Sequence, residues 1–199
     1  MMCSSTGGDG VGAIIKRLGE VAEIVPGAGD DRRREGKYQY FYYQPNNLSD
    51  ACSVLPTIFR NEPVSEKQLV RNGDIIIKRL NHDRTHVVTK VEKPSTISQN
   101  LFIVRIDETK CLPEYLAFLF EQQEVILQTS QMSGSAAPIR ALSVKMLADI
   151  SIPIIALEKQ QALGSVWRLA KRRQSLLRKL EAENNRLMTA VYNNTLGTR

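Results

Sequence analysis

Histidine and cysteine are scarce in this chain, two and three among 199 residues, and that scarcity removes most of the chemistry a sequence can advertise. Cys3, Cys52 and Cys111 lie far apart. They supply neither a disulfide framework nor a close metal or redox pair, which suits a reducing cytoplasm, the expected location. His82 and His86 have the i, i+4 spacing of zinc ligands, but that spacing brings two rings together only on a helix. Asn81 and Asp83 mark a loop here, and no Glu follows His82 to serve as the general base of a zinc protease. No metal and no cofactor is expected. Long hydrophobic runs are missing as well: nothing approaches the roughly 18–20 apolar residues that span a bilayer. The first residues have neither a basic start nor an apolar h-region, so no membrane association or export is expected.

Two further patterns look chemical and fail on context. Gly7-Gly8-Asp9-Gly10-Val11-Gly12 has no strand before it, and a phosphate-binding loop needs one to feed a helix N-terminus. Ser133-Gly134-Ser135 lacks the flanking glycines and the strand-to-helix elbow that expose a nucleophilic serine. Both read as polar loops, and the chain is expected to be no enzyme.

What is present is a long helix with a seam. After Ile152-Pro153, from residue 158 to 197, no proline interrupts the chain. Leu163, Val166, Ala170, Leu177, Leu180, Leu187 and Val191 recur there at alternating three- and four-residue steps. That is the spacing of a helix built to lie against another helix. Arg173, Asn184 and Asn194 occupy seam positions; polar residues there cost stability but fix register and partner number. The net charge of +6 concentrates in the same segment, where Lys159, Arg168, Lys171, Arg172, Arg173, Arg178, Lys179 and Arg186 face only Glu158, Glu181 and Glu183. A second basic group, Lys78, Arg79, Arg84, Lys90 and Lys93, lies in the globular part. Two basic regions fit a polyanionic partner, and equally the solvated flank of a coiled coil.

Ahead of that helix, the hydrophobic fraction of 42% is enough for one ordinary core. Residues 1–13, rich in Gly and Ser, read as a disordered leader, and residues 14–157 as a globular domain. Within it, Lys16 to Gly27 reads as a turn or short helix feeding a strand that stops at Pro26-Gly27. Tyr38 to Tyr43 reads as a strand whose aromatics pack in a sheet rather than stack on bases. Asn72-Gly73-Asp74 predicts a turn before a buried Ile75-Ile76-Ile77 strand. Val87 to Val91 and Leu101 to Ile106 extend the β-rich part. Pro113 marks the start of a helix running toward Gln128, and Ser143 the N-cap of a short one ending near Ala148. Ile150-Ser151-Ile152 closes the domain as a strand. The fold class is α+β, a mixed globular domain followed by one long C-terminal helix.

Several of these segments, in this order, resemble type I restriction-modification specificity subunits. Leu18-Gly19-Glu20-Val21-Ala22-Glu23-Ile24 is similar to their domain opening. Gly73-Asp74 with its isoleucines resembles one strand of their target-recognition domains, Gln99-Asn100-Leu101-Phe102-Ile103-Val104-Arg105 another, and Pro113 to Leu119 the helix that follows. Leu142-Ser143 to Leu147, Ile150-Ser151-Ile152-Pro153, Leu157-Glu158 and Gln160 resemble the junction into the family's spacer helix. A second proline usual at that junction is replaced here by Ile154, Ile155 and Ala156.

The resemblance implies a target-recognition domain for double-stranded DNA over residues 14–157 and a spacer and dimerisation helix over 158–197. Family subunits carry two such domains separated by two antiparallel helices. One domain with one helix therefore implies a half-subunit, completed by a second copy or a different half and reading a bipartite site. It further implies a separate DNA methyltransferase subunit as partner, with a restriction or translocase subunit beside it, and no catalysis in this chain. The DNA-contacting candidates are Lys78, Arg79, His82 and Arg84 in one loop region and Ser135 and Arg140 in a second, chosen by loop position and chemistry. The pairing candidates are Leu163, Val166, Leu177, Leu180, Leu187 and Val191. The competing reading is a non-catalytic oligomerisation or scaffold protein whose basic helix is only a solvated coiled coil.

Overall fold

The computed structural model describes residues 12–29, 35–49, 55–80, 85–132 and 141–196. Among the described residues, nine strands and four α-helices follow in order: β1 Ile14–Arg17, β2 Ala22–Pro26, β3 Tyr38–Tyr43, β4 Thr57–Arg60, β5 Ile75–Lys78, β6 Thr85–Val87, β7 Ser95–Ile97, β8 Leu101–Ile106, α1 Pro113–Phe120, α2 Gln123–Met132, α3 Val144–Ala148, β9 Ser151–Ile154 and α4 Leu157–Leu196. The architecture is a mixed α and β domain with one long helix leaving it.

The centre is a four-stranded sheet in the order β2-β8-β5-β6, antiparallel throughout. Because successive side chains in a strand point to opposite faces, the Ile75-Ile76-Ile77 run divides. Ile75 and Ile77, with Phe102 and Val104 of β8, face a core completed by Tyr115, Leu116, Leu119, Leu147 and Ile152. Ile76, Leu101 and Ile103 face the other way, onto Tyr43, Leu48 and Ile97. A strand covered on both faces has no room for polar alternation, which is why this one is written in isoleucine. The second layer is a three-stranded sheet, β4-β3-β7, in which β3 and β7 run parallel. The aromatic run divides in the same way: Tyr40 and Tyr42 pack with Ile58 and Val64, while Tyr43 joins the layer shared with the central sheet.

The Gly73-Asp74 and Gln99–Arg105 segments meet through a buried ion pair. Asp74 is 1% exposed, and Arg105 grips it with Nε to Oδ1 at 2.9 Å and Nη2 to Oδ2 at 2.8 Å. The carboxylate also accepts the Arg71 backbone N–H at 2.7 Å, and Arg105 donates to the Leu69 carbonyl at 2.9 Å. Gly73 turns the chain with φ +83°, where a side chain would also strike the Glu108 carboxylate. This turn and this pair hold β5 and β8 in register.

Ser143 caps α3, its hydroxyl accepting from the Met146 N–H at 3.2 Å. Three expectations are corrected, and one strand is added. The single helix from Pro113 toward Gln128 is two helices, because Glu121 ends α1 and the Gln122 side chain folds back to donate to the Phe118 carbonyl at 2.9 Å. The strand read over Val87–Val91 stops at Val87: Val88 instead donates to the Asp74 carbonyl and Val91 to the Asn72 side chain. Lys16 and Arg17, read as the opening of a turn or short helix, instead end strand β1, which is zipped antiparallel to β9. A strand at Ser95–Ile97 went unread, since two hydroxyl residues and one isoleucine carry little β signal.

Removing one partner of a buried ion pair leaves the other charge uncompensated. Asp74→Ala should therefore lower unfolding stability by about 3–5 kcal/mol in urea titration, far more than substitution of the exposed Lys90–Glu92 pair.

Candidate nucleic-acid interface and partner helix

Two of the DNA-contacting candidates, Lys78 and Arg79, lie at one end of the central sheet. Beyond β5 the chain continues through Arg79 and Leu80. The Arg79 N–H donates to the Asn100 carbonyl at 2.8 Å, and its carbonyl accepts the Leu142 N–H at 2.8 Å. Leu80 pairs with Ala141 in an isolated antiparallel bridge. Leu80, just before residues 81–84, thus lies against Ala141, just after residues 133–140, at one end of the central sheet. His82, Arg84, Ser135 and Arg140 lie outside the described residues; Lys78 and Arg79 are at this end, half-buried and exposed respectively. The other members of the basic group go elsewhere. Lys90 is paired with Glu92 at 2.9 Å, and Lys93 sits over the Phe41 ring 5.2 Å from its centroid.

His86, which returns the chain into β6, packs its ring 5.9 Å from that of Tyr43. Burial pushes its imidazole below the usual histidine range. A neutral ring at this position is a packing group, not a phosphate-binding cation. Among the described residues no cluster of three His, Cys, Asp or Glu could hold a metal ion. The one described cysteine, Cys111, is buried, and burial pushes its thiol up to about 12. That removes it as a nucleophile near neutral pH.

Helix α4 is tied to this domain by its first turns. Gln160 is fully buried. Its Oε1 accepts the Leu112 N–H at 2.9 Å, and its Nε2 donates to the carbonyls of Lys110 at 3.1 Å and Ile155 at 2.8 Å. Leu112 is the N-cap of α1 and has no capping side chain of its own. Gln160 supplies from 48 residues away the bond that a Glu or Gln at the third helical position supplies in a capping box. One turn on, Gly164 lets the two helices touch: a Cβ there would lie 2.8 Å from the Glu114 Cβ. Glu121, at the end of α1, then accepts from Trp167 Nε1 at 3.0 Å, Lys171 Nζ at 2.7 Å and Thr85 Oγ1 at 3.2 Å. One carboxylate therefore joins the base of the β5–β6 hairpin to the helix. Sequence reading passed over Glu121 and Trp167, since a single acid ending a helix carries no pattern.

Gln160, Gly164, Trp167 and Lys171 follow the 3.6-residue period and define the docked face. The seam lies on the side turned away from the domain. Val166, Leu177, Leu180, Leu187 and Val191 are between 51% and 64% exposed, and Leu163 is 38% exposed. Leu169 and Leu176, one heptad apart and equally open, widen the stripe beyond the residues first chosen. From Glu181 to Leu196 every residue is exposed, so the distal part of the helix stands clear of the domain. Among the described residues no helix is long and apolar enough to cross a membrane.

No family model matches the sequence, and no curated protein matches it by sequence. Solved structures do match. The HsdS subunit from Thermoanaerobacter tengcongensis superimposes with TM-score 0.64 at 18% identity, over 93% of this chain and 48% of its own. A chain from the type I R-M system, solved in work on its complex assembly and conformational transition, gives 0.66 at 19% identity over the same shares. The type I restriction-modification S subunit from M. genitalium gives 0.57 at 13% identity, over 96% of this chain and 47% of its own. The chain thus has the fold of a specificity-subunit domain with its following helix, and spans about half the length of the structures it matches.

Losing Gln160 should unpin α4. Gln160→Ala is expected to lower stability by about 1–3 kcal/mol, the cost of a buried donor left unmade. The single tryptophan, Trp167, should shift its emission to longer wavelength as the helix start loosens; unchanged emission and stability would show that Gln160 does not secure the helix.

Proposed function

We propose that this chain is the DNA-recognition subunit of a type I restriction-modification complex, in a half-subunit form. The observation that carries the reading is the fold match, over 93% of this chain, to about half of a specificity subunit. The sheet end where Lys78 and Arg79 meet the flanks of both candidate loops gives that fold a place to read DNA. Cations on phosphate position the domain and a few polar side chains select bases. His82, Arg84, Ser135 and Arg140 remain candidates for that second task.

The exposed stripe on α4 supports a pairing role. In this reading the helix lies antiparallel against that of a second copy, or of a different half, and Arg173 and Asn184 hold the register. Two recognition domains then face two half-sites, and a twofold assembly reads a symmetric bipartite site. A stripe widened by Leu169 and Leu176 exceeds the narrow seam of a two-helix coiled coil, which leaves apolar surface for a methyltransferase subunit. Methyl transfer and cleavage belong to such partners, in the cytoplasm, and this chain supplies the address without catalysis of its own.

Duplex binding by the full chain, followed between 50 and 200 mM salt on the scale at which phosphate contacts are read, separates this from a scaffold role. Replacing Lys78 and Arg79 together with Gln should weaken binding and reduce the slope of log K on log salt by about 2. An unchanged slope and affinity would refute the assignment of this sheet end. A scaffold would show no salt-dependent, sequence-selective binding even before substitution. For the helix, Leu177→Glu with Leu180→Glu should convert a dimer to monomers in sedimentation. A dimer that survives both changes rules out the stripe as the pairing surface.

A further inference from the structure

Beside the basic sheet end lies a cleft of about 360 Å³, lined by Tyr42, Gln44, Pro45 and Asn46 on one side and Ser98, Gln99 and Asn100 on the other. The first wall is the end of β3 and the residues after it, and the second is the tight turn between β7 and β8. Both walls are held by backbone. Ser98 donates to the Tyr43 carbonyl at 3.0 Å, Leu101 to the Ser98 carbonyl at 2.9 Å and Asn47 to the Gln44 carbonyl at 2.9 Å. The Asn100 carbonyl receives the Arg79 N–H, so the cleft and the basic strand end form one surface.

What marks this surface is a cluster of amides. Several amides elsewhere in the domain are committed to backbone, Gln68 to Pro26, Asn72 to Val91, Gln128 to Ser151, and Gln160 to three groups. Among the described residues no hydrogen bond engages the side-chain amides of Gln44, Gln99 or Asn100. Three uncommitted amides thus converge on one concave surface next to two cations. The lining is uncharged, which does not suit a phosphate, and beyond Tyr42 and Pro45 it is polar, unlike the apolar walls that bury a small hydrophobic ligand. An amide offers a donor and an acceptor side by side, the complement of adenine N7 and N6–H in the major groove.

We propose that this cleft is a base-reading site, with Gln44, Gln99 and Asn100 contacting nucleobase edges, adenine foremost, while Lys78 and Arg79 hold the neighbouring phosphates. The proposal rests on the reading of the chain as a duplex-DNA reader. It adds a reading surface outside the loops that sequence chemistry favoured.

The test is selection from a library of randomised duplexes by the full chain and by Gln44→Ala, Gln99→Ala and Asn100→Asp. The last is isosteric, so it keeps the turn even where an alanine disturbs it. The wild-type motif should contain an adenine whose preference falls about tenfold in the alanine variants. With Asn100→Asp the preference should move toward cytosine, whose amino group a carboxylate accepts. The salt slope should stay at its wild-type value in all three, since no phosphate contact is lost. A wild-type motif selected unchanged by all three variants overturns the cleft and leaves the DNA-reading function standing. A wild-type chain that selects no motif overturns both.

Discussion

The docking of the first turns of α4 on α1 is the constraint on which the rest of the structure depends. A helix of 40 residues has a defined direction only if its start is fixed on the domain. Two side chains fix it here. Gln160 knits the helix start to the N-cap of α1 and to the junction behind it, and Glu121 ties the fourth turn to the hairpin base. Gly164 between them gives up about 1 kcal/mol of helix propensity in exchange for contact between the helices. Since Glu121 also holds Thr85, the strand that follows residues 81–84 is bonded to the same point as the helix. Hydrogen bonds thus run from the sheet end to the helix through Glu121.

The buried Asp74–Arg105 pair does for the sheet what Gln160 does for the helix. Both belong to the segments through which the sequence resembles specificity subunits, and both act inside the molecule. Asp74 and Gln160 are both buried, so the part of the resemblance they carry identifies an architecture.

Locality set what was legible. The isoleucine run, the proline at the start of α1, the Ser143 cap and the heptad helix were readable because each is a local pattern with a local cause. The β1–β9 pairing was not, since Ile14-Ile15-Lys16-Arg17 becomes a strand only by meeting β9 from the far end of the domain. The break after α1 was hidden for a similar reason: Glu121 is held by Trp167, Lys171 and Thr85, all distant in sequence. For the candidate site, charge and loop chemistry pointed to Lys78 and Arg79. The convergence of Gln44 with Gln99 and Asn100 follows from the parallel pairing of β3 and β7, which no local pattern announces.

The central claim is that a rigid recognition domain is doubled at a fixed spacing by its own helix. Hydroxyl-radical footprinting of the full chain on a selected duplex tests it most directly. The account predicts two protected patches of equal extent, related by twofold symmetry and separated by an open gap. A single continuous patch, or one with no symmetric counterpart at saturation, would contradict it.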